Sequence, residues 1–512
     1  MIQHIGQLLP RHAKYRPNHQ ALWTEGKDYT FQEFHLEVNK VGHALCKAGL
    51  RKGDHFATIL PNGFALMALY WAAAETGTVI VPMSPLLQSE GLKSLINVSD
   101  SKMIFADVSF ASTLSEILPE LDNIDQSNCI LCGNSNDSFK SWNSFISESS
   151  DAALPDINLI PSDIFNIMYS SGTTGLPKGI IHTHEVRANY CTGFASSLRI
   201  SPESVILHTG SIVFNGAMID LMPWMYLGAR YILHTAFDVD AMLSTIEEEK
   251  VTHVVMVPAQ IIAILTHPNF DPEKMKSLEM ILSVGAPLLM DYKEKLNEVL
   301  PNRFYELYGL TEGFATVLDC TVSMQKTGSV GTPPPFYEMK ILRPDGSECD
   351  IDEPGEIVGR SPVMSPGYYK RPESTKETFR NGWIHTGDVG KVDKDGYLYL
   401  VDRIKDMIIS GGVNVYPKDI EELIIQHSNV IDVSVFGVED DRWGEKPIAA
   451  ITCSNTEKFD KQELINWTNE RVAAKFQRIH DVYILNEFPR NVAGKTLKRE
   501  IKENYIKEAG VS

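Results

Sequence analysis

Residues Phe64–Thr76 read Phe-Ala-Leu-Met-Ala-Leu-Tyr-Trp-Ala-Ala-Ala-Glu-Thr, helix-forming positions with almost no polarity. The run predicts a buried helix. Gly77 ends it, and Thr78-Val79-Ile80-Val81-Pro82 predicts a short strand. Thr252-His253-Val254-Val255-Met256-Val257-Pro258 predicts another strand, leading into a helix near Ile261–Leu265, and Met280–Gly285 predicts a third. Strands alternating with helices imply an α/β architecture with largely parallel sheets. Residues 134–156, rich in Ser, Asn and Asp, predict a loop between subdomains. The apolar Leu398–Val401 strand gives way to Asp402-Arg403-Ile404-Lys405-Asp406, which sets the expected boundary between domains 1–401 and 402–512. The second of these, of roughly 110 residues, has the size of a small α/β domain.

Composition narrows the class. A chain of 512 residues is too long for one hydrophobic core, so two or more domains are expected. Apolar content of 43% and charged content of 22% suit a soluble globular protein. A net charge of −19 argues against an extended nucleic-acid surface, which needs clustered Lys and Arg. It leaves room for a nucleotide, which needs only a few local donors. Seven cysteines are scattered, and only Cys129 and Cys132 are close. No second pair completes a metal site, so reduced thiols of a cytosolic protein are expected. The start, Met-Ile-Gln-His-Ile-Gly-Gln-Leu-Leu-Pro, lacks the basic and apolar regions of a secretory signal, and Ala-Gly-Val-Ser at the end is no peroxisomal address. No apolar run is long enough to span a membrane. A cytoplasmic enzyme is the default expectation.

The chemistry concentrates in Tyr169-Ser170-Ser171-Gly172-Thr173-Thr174-Gly175-Leu176-Pro177-Lys178-Gly179. Glycines let a backbone come close to a ligand, and exposed N–H groups, hydroxyls and a lysine together make an anion cradle. A polyphosphate is the natural occupant. The spacing is not that of a P-loop, because Lys178 follows Pro177 and precedes Gly179.

That segment resembles the signature of the adenylate-forming enzymes: acyl-CoA synthetases, amino-acid adenylation domains and beetle luciferases. Further motifs follow in that family's order. Tyr305-Glu306-Leu307-Tyr308-Gly309-Leu310-Thr311-Glu312 resembles its Tyr-Gly-x-Thr-Glu motif, and Thr386-Gly387-Asp388 its Thr-Gly-Asp motif. Asp402–Asp406 resembles its hinge, followed by Ser410-Gly411-Gly412, and Pro489–Lys495 its C-terminal Gly-Lys motif. The resemblance implies a large N-terminal domain and a small mobile C-terminal one. It also implies activation of a carboxylic acid by ATP, with Mg²⁺ as cofactor and CoA as second substrate.

Carried over residue by residue, the resemblance implies that Ser170, Ser171, Gly172, Thr173, Thr174, Gly175 and Lys178 hold the β- and γ-phosphates. Glu312 becomes the Mg²⁺ ligand, a hard oxygen donor for a hard ion, and Thr311 a partner of the α-phosphate. A Thr-Glu pair equally suits a helix N-terminus with the threonine as cap. Asp388 is matched to the ribose hydroxyls and Arg403 to ribose or phosphate oxygens. Gly285, Ala286 and Pro287, with Tyr305, Glu306, Leu307 and Tyr308, resemble the segments that sandwich and read adenine, and Gly309 is a further ATP-binding candidate. Lys495 is expected to bridge the attacking carboxylate and the α-phosphate, stabilising charge as it shifts. Asn491 stands where the family often has threonine. For thioester formation Lys405 matches the hinge residue, and Gly411 and Gly412 the glycines along which pantetheine passes. Trp443, Phe476 and Arg478 are candidates for the CoA arm and nucleotide, with Trp443 equally suited to a core or interdomain place.

The acid itself is less legible. Ser211–Ala217 lies where the family's acyl-site aromatic motif falls. Asn215 stands where an amino-acid adenylation domain would carry an Asp, and a buried ammonium without a carboxylate is costly, which disfavours an α-amino acid. His208, upstream, is as readily a core residue. Val213, Phe214, Asn215, Gly309 and Leu310 suggest an apolar pocket for a fatty, alicyclic or aromatic acid. An AMP-forming acid:CoA ligase is therefore expected. Its alternatives are a stand-alone adenylation enzyme that loads a carrier protein, an oxygenating luciferase and a non-catalytic nucleotide- or acyl-binding paralogue. No carrier-like domain follows Lys495, which leans towards free CoA. The resemblance alone would allow a homodimer.

Overall fold

The computed structural model describes residues 4–133, 138–170, 178–410, 413–440, 443–453, 459–472, 474–490 and 496–509. The chain divides into two compact units, Met1–Glu338 with Gly359–Ile384, and Met339–Val358 with His385–Ser512. Among the described residues no helix is long and apolar enough to cross a membrane.

The first unit carries two largely parallel sheets. One has seven strands in the order Lys140–Ser141, Cys129–Cys132, Ser101–Asp107, His55–Ile59, Val79–Pro82, Ile164–Ser170, Lys178–Thr183. Its pairs are parallel except the last, which folds back antiparallel. The other has eight strands in the order Phe314–Leu318, Phe304–Leu310, Met280–Val284, His253–Met256, Val205–His208, Arg230–Leu233, Gln20–Thr24, Lys27–Thr30. Only its two outermost pairs are antiparallel. Helix Phe64–Thr76 has the bounds its composition predicts, with Leu66 to Ala74 buried without a break. Gly77 closes it at φ +66°, where a Cβ would meet Leu159 Cδ2 at 2.7 Å. Pro258 opens helix Pro258–Leu265, so the strand before it stops at Met256.

Residues 134–156 are not all loop. Lys140–Ser141 joins the edge of the seven-stranded sheet, and Trp142–Ile146 is a short helix capped by Ser141 Oγ, which accepts from Ser144 N at 3.2 Å. Phe145 is buried, its ring 5.3 Å from that of Phe105. Two aromatic anchors outweigh the polar composition around them. Cys129 and Cys132 are free thiols on a buried strand, and burial pushes both up to about 12.

A third sheet runs Glu338–Leu342, Gly355–Arg360, Trp383–Val392, Phe379–Arg380, with Leu398–Arg403 antiparallel to Trp383–Val392. The last strand continues two residues beyond Val401, because Asp402 and Arg403 still pair with Val389 and Asp388. In the second unit, Val413–Val415, Ile408–Ser410, Gly444–Cys453 and Val430–Asp440 form a sheet in that order, with Val482–Ile484 parallel to Gly444–Cys453. Its other pairs are antiparallel. Helices Pro417–Ile424, Lys461–Arg471 and Lys498–Ala509 accompany it, over cores centred on Ile408, Ile420 and Ile451 and on Phe436, Ile448 and Tyr505.

Candidate functional site

In open parallel sheets the carboxyl ends of the strands are where ligands collect. Strand Ile164–Ser170 ends there, and Lys178 begins the returning strand opposite Ser170. Ser171, Gly172, Thr173, Thr174 and Gly175 lie outside the described residues. Lys178 Nζ stands 4.7 Å from the ring centroid of Tyr368. The Tyr368 hydroxyl donates to Glu312 Oε1 at 2.7 Å and lies 3.3 Å from Thr378 Oγ1. Burial and the Glu312 charge raise the Tyr368 pKa, so the phenol stays a donor.

Thr311 and Glu312 do not begin a helix. They form, with Gly313, the turn of the hairpin Phe304–Leu310/Phe314–Leu318, closed by the pair Leu310–Phe314. The close return requires glycine: Gly313 has φ +108°, and a Cβ there would lie 2.1 Å from Val363 O. Ser365 N donates to Glu312 O at 2.9 Å, and His182 Nε2 lies 3.0 Å from Thr311 O. Burial holds the His182 pKa well below its usual value. A carbonyl can only accept, so the neutral ring carries its hydrogen on Nε2. Lys178, Tyr368, Glu312, Thr311 and His182 thus form one cluster. No group of three or more His, Cys, Asp or Glu is placed to hold a metal among the described residues. A single carboxylate whose second oxygen has no hydrogen bond to a described residue suits Mg²⁺ completed by phosphates and water, rather than a protein cage.

The adenine candidates divide. Gly285, Ala286 and Pro287 are exposed just beyond strand Met280–Val284. Pairing of Val284 with Leu307 sets Gly285 beside Tyr308. Leu307 is buried, Tyr308 half-buried and Gly309 exposed. Glu306 is buried, and its carboxylate pairs with Lys293 Nζ at 2.5 Å from helix Met290–Val299.

In the acyl segment Val213 is buried, while Phe214 and Asn215 are half-buried where the chain turns into helix Met218–Leu227. Asn215 Oδ1 accepts from Arg187 Nη1 at 2.9 Å, and Asn215 Nδ2 donates to the Tyr190 hydroxyl at 2.9 Å. Leu310 ends its strand half-buried. His208 belongs to the core: its Nδ1 lies 2.8 Å from Asp220 Oδ2, and Tyr231 donates to the other Asp220 oxygen at 3.0 Å.

In the second unit Asp388 and Arg403 face each other across antiparallel strands, Oδ1 to Nε 3.2 Å. Thr386 Oγ1 accepts from Asp388 N at 3.1 Å and donates to Ile357 O at 2.7 Å, which fixes the turn before Asp388. Lys405 is exposed in the short turn Ile404–Asp406. Trp443 is half-buried, its backbone N–H donating to Asp440 Oδ1 at 3.1 Å. Phe476 packs on the core around Ile408, and Arg478 is exposed. Gly411, Gly412, Asn491 and Lys495 lie outside the described residues.

Tyr368, His182 and Lys293 escape a reading by motif, because each meets its partner only through the fold. Tyr368 stands in a bare Gly-Tyr-Tyr, 56 residues from Glu312. Arg187 carries no signal either, since it stands among polar neighbours such as His184, Glu185 and Asn189.

The sequence model of the AMP-binding enzyme family matches residues 9–369, and that of the AMP-binding enzyme C-terminal domain residues 419–495. The chain is 32% identical over 517 residues to a feruloyl-CoA synthase of Amycolatopsis sp, covering 98% of this chain and 99% of that protein. It is 31% identical over 515 residues to the long-chain-fatty-acid–CoA ligase FadD13 of Mycobacterium tuberculosis, with the same coverage. The o-succinylbenzoate coenzyme A synthetase MenE of Bacillus subtilis, solved with ATP and magnesium ion, superposes with a TM-score of 0.86 at 28% identity, covering 97% of this chain and 99% of that one. Motifs, fold and relatives agree: the chain belongs to the AMP-binding enzyme family and is an ATP-dependent, AMP-forming acid:CoA ligase that works through an acyl-adenylate.

Proposed function

We propose that the cluster around Glu312 is the adenylation centre and that the substrate is a fatty, alicyclic or aromatic acid. The carrying observation is the convergence of Lys178, Tyr368 and Glu312, with Tyr368 holding one Glu312 oxygen and leaving the other free of described partners. Adenylation brings two anions together, so it needs positive charge and positioning. Lys178 supplies charge beside the segment that carries the phosphates. Thr311 orients the α-phosphate from a turn braced by His182 and Ser365. Mg²⁺, held by Glu312, would neutralise phosphate charge and orient the leaving pyrophosphate. Asp388 and Arg403 take the ribose, and Lys495 stabilises the charge that moves between carboxylate and α-phosphate. Rotation about Lys405 then exchanges Lys495 for the face carrying Gly411 and Gly412, and CoA attacks the adenylate.

The acceptor reading favours free CoA over a carrier protein because the relatives are named as CoA synthases and ligases over nearly their whole length. ATP–pyrophosphate exchange with a panel of carboxylic acids, with and without CoA, tests both points. Acid-dependent exchange with an acyl-CoA product is expected. Exchange without that product would move the acceptor to a carrier protein, and no exchange with any acid would overturn the assignment of the centre.

A further inference from the structure

Arg187 is fully buried in helix His184–Ser197. Its Nε donates to Asn166 Oδ1 at 3.0 Å, Nη1 to Asn215 Oδ1 at 2.9 Å, and Nη2 lies 3.6 Å from Met168 Sδ. The guanidinium carbon stands 4.8 Å from the Tyr190 ring centroid. Two amides, a thioether and a phenol are the partners of this cation, and no carboxylate among the described residues pairs with it. Burial lowers its pKa only to about 10, so the charge persists at neutral pH. A buried charge without a counter-ion is an expensive arrangement, and dipoles offset it only in part. Buried cations are ordinarily paired, which makes this one a group awaiting an anion.

Its position says which anion. Asn215 lies in the acyl segment, and Asn166 and Met168 lie on the strand that runs to Ser170. The Arg187 charge also acts on His182, whose ring holds the Thr311 carbonyl. The cation therefore sits between the acyl segment and the Thr311 turn. The carboxylate that is adenylated has Lys495 as its own cation in the function proposed above, on which this inference rests. We propose that Arg187 is a specificity-determining residue that receives a second carboxylate of the acid substrate, so that the pocket selects a hydrocarbon body bearing two acidic groups. The guanidinium fork suits a carboxylate; Asn166 and Asn215 fix its plane, and Nη1 and Nη2 each carry a second N–H beyond the one given to Asn215 or Met168. A site built to bond a charged group rejects the analogue lacking it, because its own polar groups are then left unmatched.

The test is ATP–pyrophosphate exchange with matched acids, octanoate against octanedioate and benzoate against its three carboxybenzoates, on wild type, Arg187→Met and Arg187→Lys. In wild type at least one diacid is expected to exceed its monoacid in kcat/KM by about 100-fold, the scale of a buried charge-assisted hydrogen-bond pair. Arg187→Met should raise KM for that diacid far more than for the monoacid, and Arg187→Lys should fall between. Preference for the monoacid in every pair would overturn the proposal while leaving the ligase intact. Equal losses on both acids in Arg187→Met would overturn it in favour of a clamp that merely positions Asn215. If Arg187→Met fails to fold by thermal melting, the wild-type ranking and Arg187→Lys decide. No exchange with any acid in wild type would overturn the adenylation centre and this inference together.

Discussion

At the residue scale, a metal-binding carboxylate works only if its free oxygen points where the ion will be. Tyr368 takes one oxygen of Glu312 and so settles the orientation of the other. Removing such an outer partner typically weakens metal affinity about 10–100-fold. Tyr368→Phe keeps the ring beside Lys178 and deletes only the hydroxyl. It is expected to raise the Mg²⁺ concentration for half-maximal pyrophosphate exchange about 10-fold with little change in Tm. An unchanged Mg²⁺ dependence would remove Tyr368 from the site. Glu312 and Lys178 were legible because they sit in ordered motifs. Tyr368 was not, since a hydroxyl in Gly-Tyr-Tyr carries no sign of what lies above it. Arg187 was not legible either, because only its burial and the want of a carboxylate among the described residues single it out.

At the scale of elements, legibility followed the dominance of one physical term. Phe64–Thr76 is helical because nearly every position pays into the same buried core, so composition alone bounds it. Trp142–Ile146 was hidden because two aromatics anchor it while its neighbours read as loop. Thr311-Glu312 fits a cap or a turn locally, and only pairing with Phe314 decides for the turn. The segment Ile404–Asp406 is a short turn between strands Leu398–Arg403 and Ile408–Ser410, with Lys405 exposed. Proline there would restrict φ at the point about which the C-terminal domain, residues 402–512, is proposed to turn. Lys405→Pro is expected to slow thioester formation at least 10-fold more than pyrophosphate exchange. Equal effects on both half-reactions would refute a hinge at this position.

For the whole molecule, the first unit buries several histidines in neutral form. Burial lowers His184 and His253 to about 4, and pushes His12, His55 and His182 down as well. A histidine whose folded pKa lies below its unfolded value binds its proton more readily when unfolded. Its contribution is therefore complete above about pH 6.5 and is lost as pH falls towards 4. Each such residue shifts stability by up to roughly 1.4 kcal/mol per pH unit in that window. Calorimetry at pH 7.5, 6.5 and 5.5 should show Tm nearly level over the first step and falling over the second. A level Tm throughout would mean these rings are hydrated or paired. Charge had only left room for a nucleotide, and the segment 169–179 pointed to a polyphosphate, but which histidines are sequestered depends on three-dimensional burial.

The first unit is assembled from two stretches, Met1–Glu338 and Gly359–Ile384, with part of the second unit between them. Glu312 belongs to the earlier stretch and Tyr368 to the later, 56 residues on. During synthesis at about 5–20 residues per second, the carboxylate is in place for several seconds before its phenol exists. The irregular stretch of backbone at Val363–Ser365, against which Gly313 is fitted, is likewise still to be made. The nascent chain therefore carries the Thr311–Gly313 turn without its later partners until the ribosome has passed the start of the second unit.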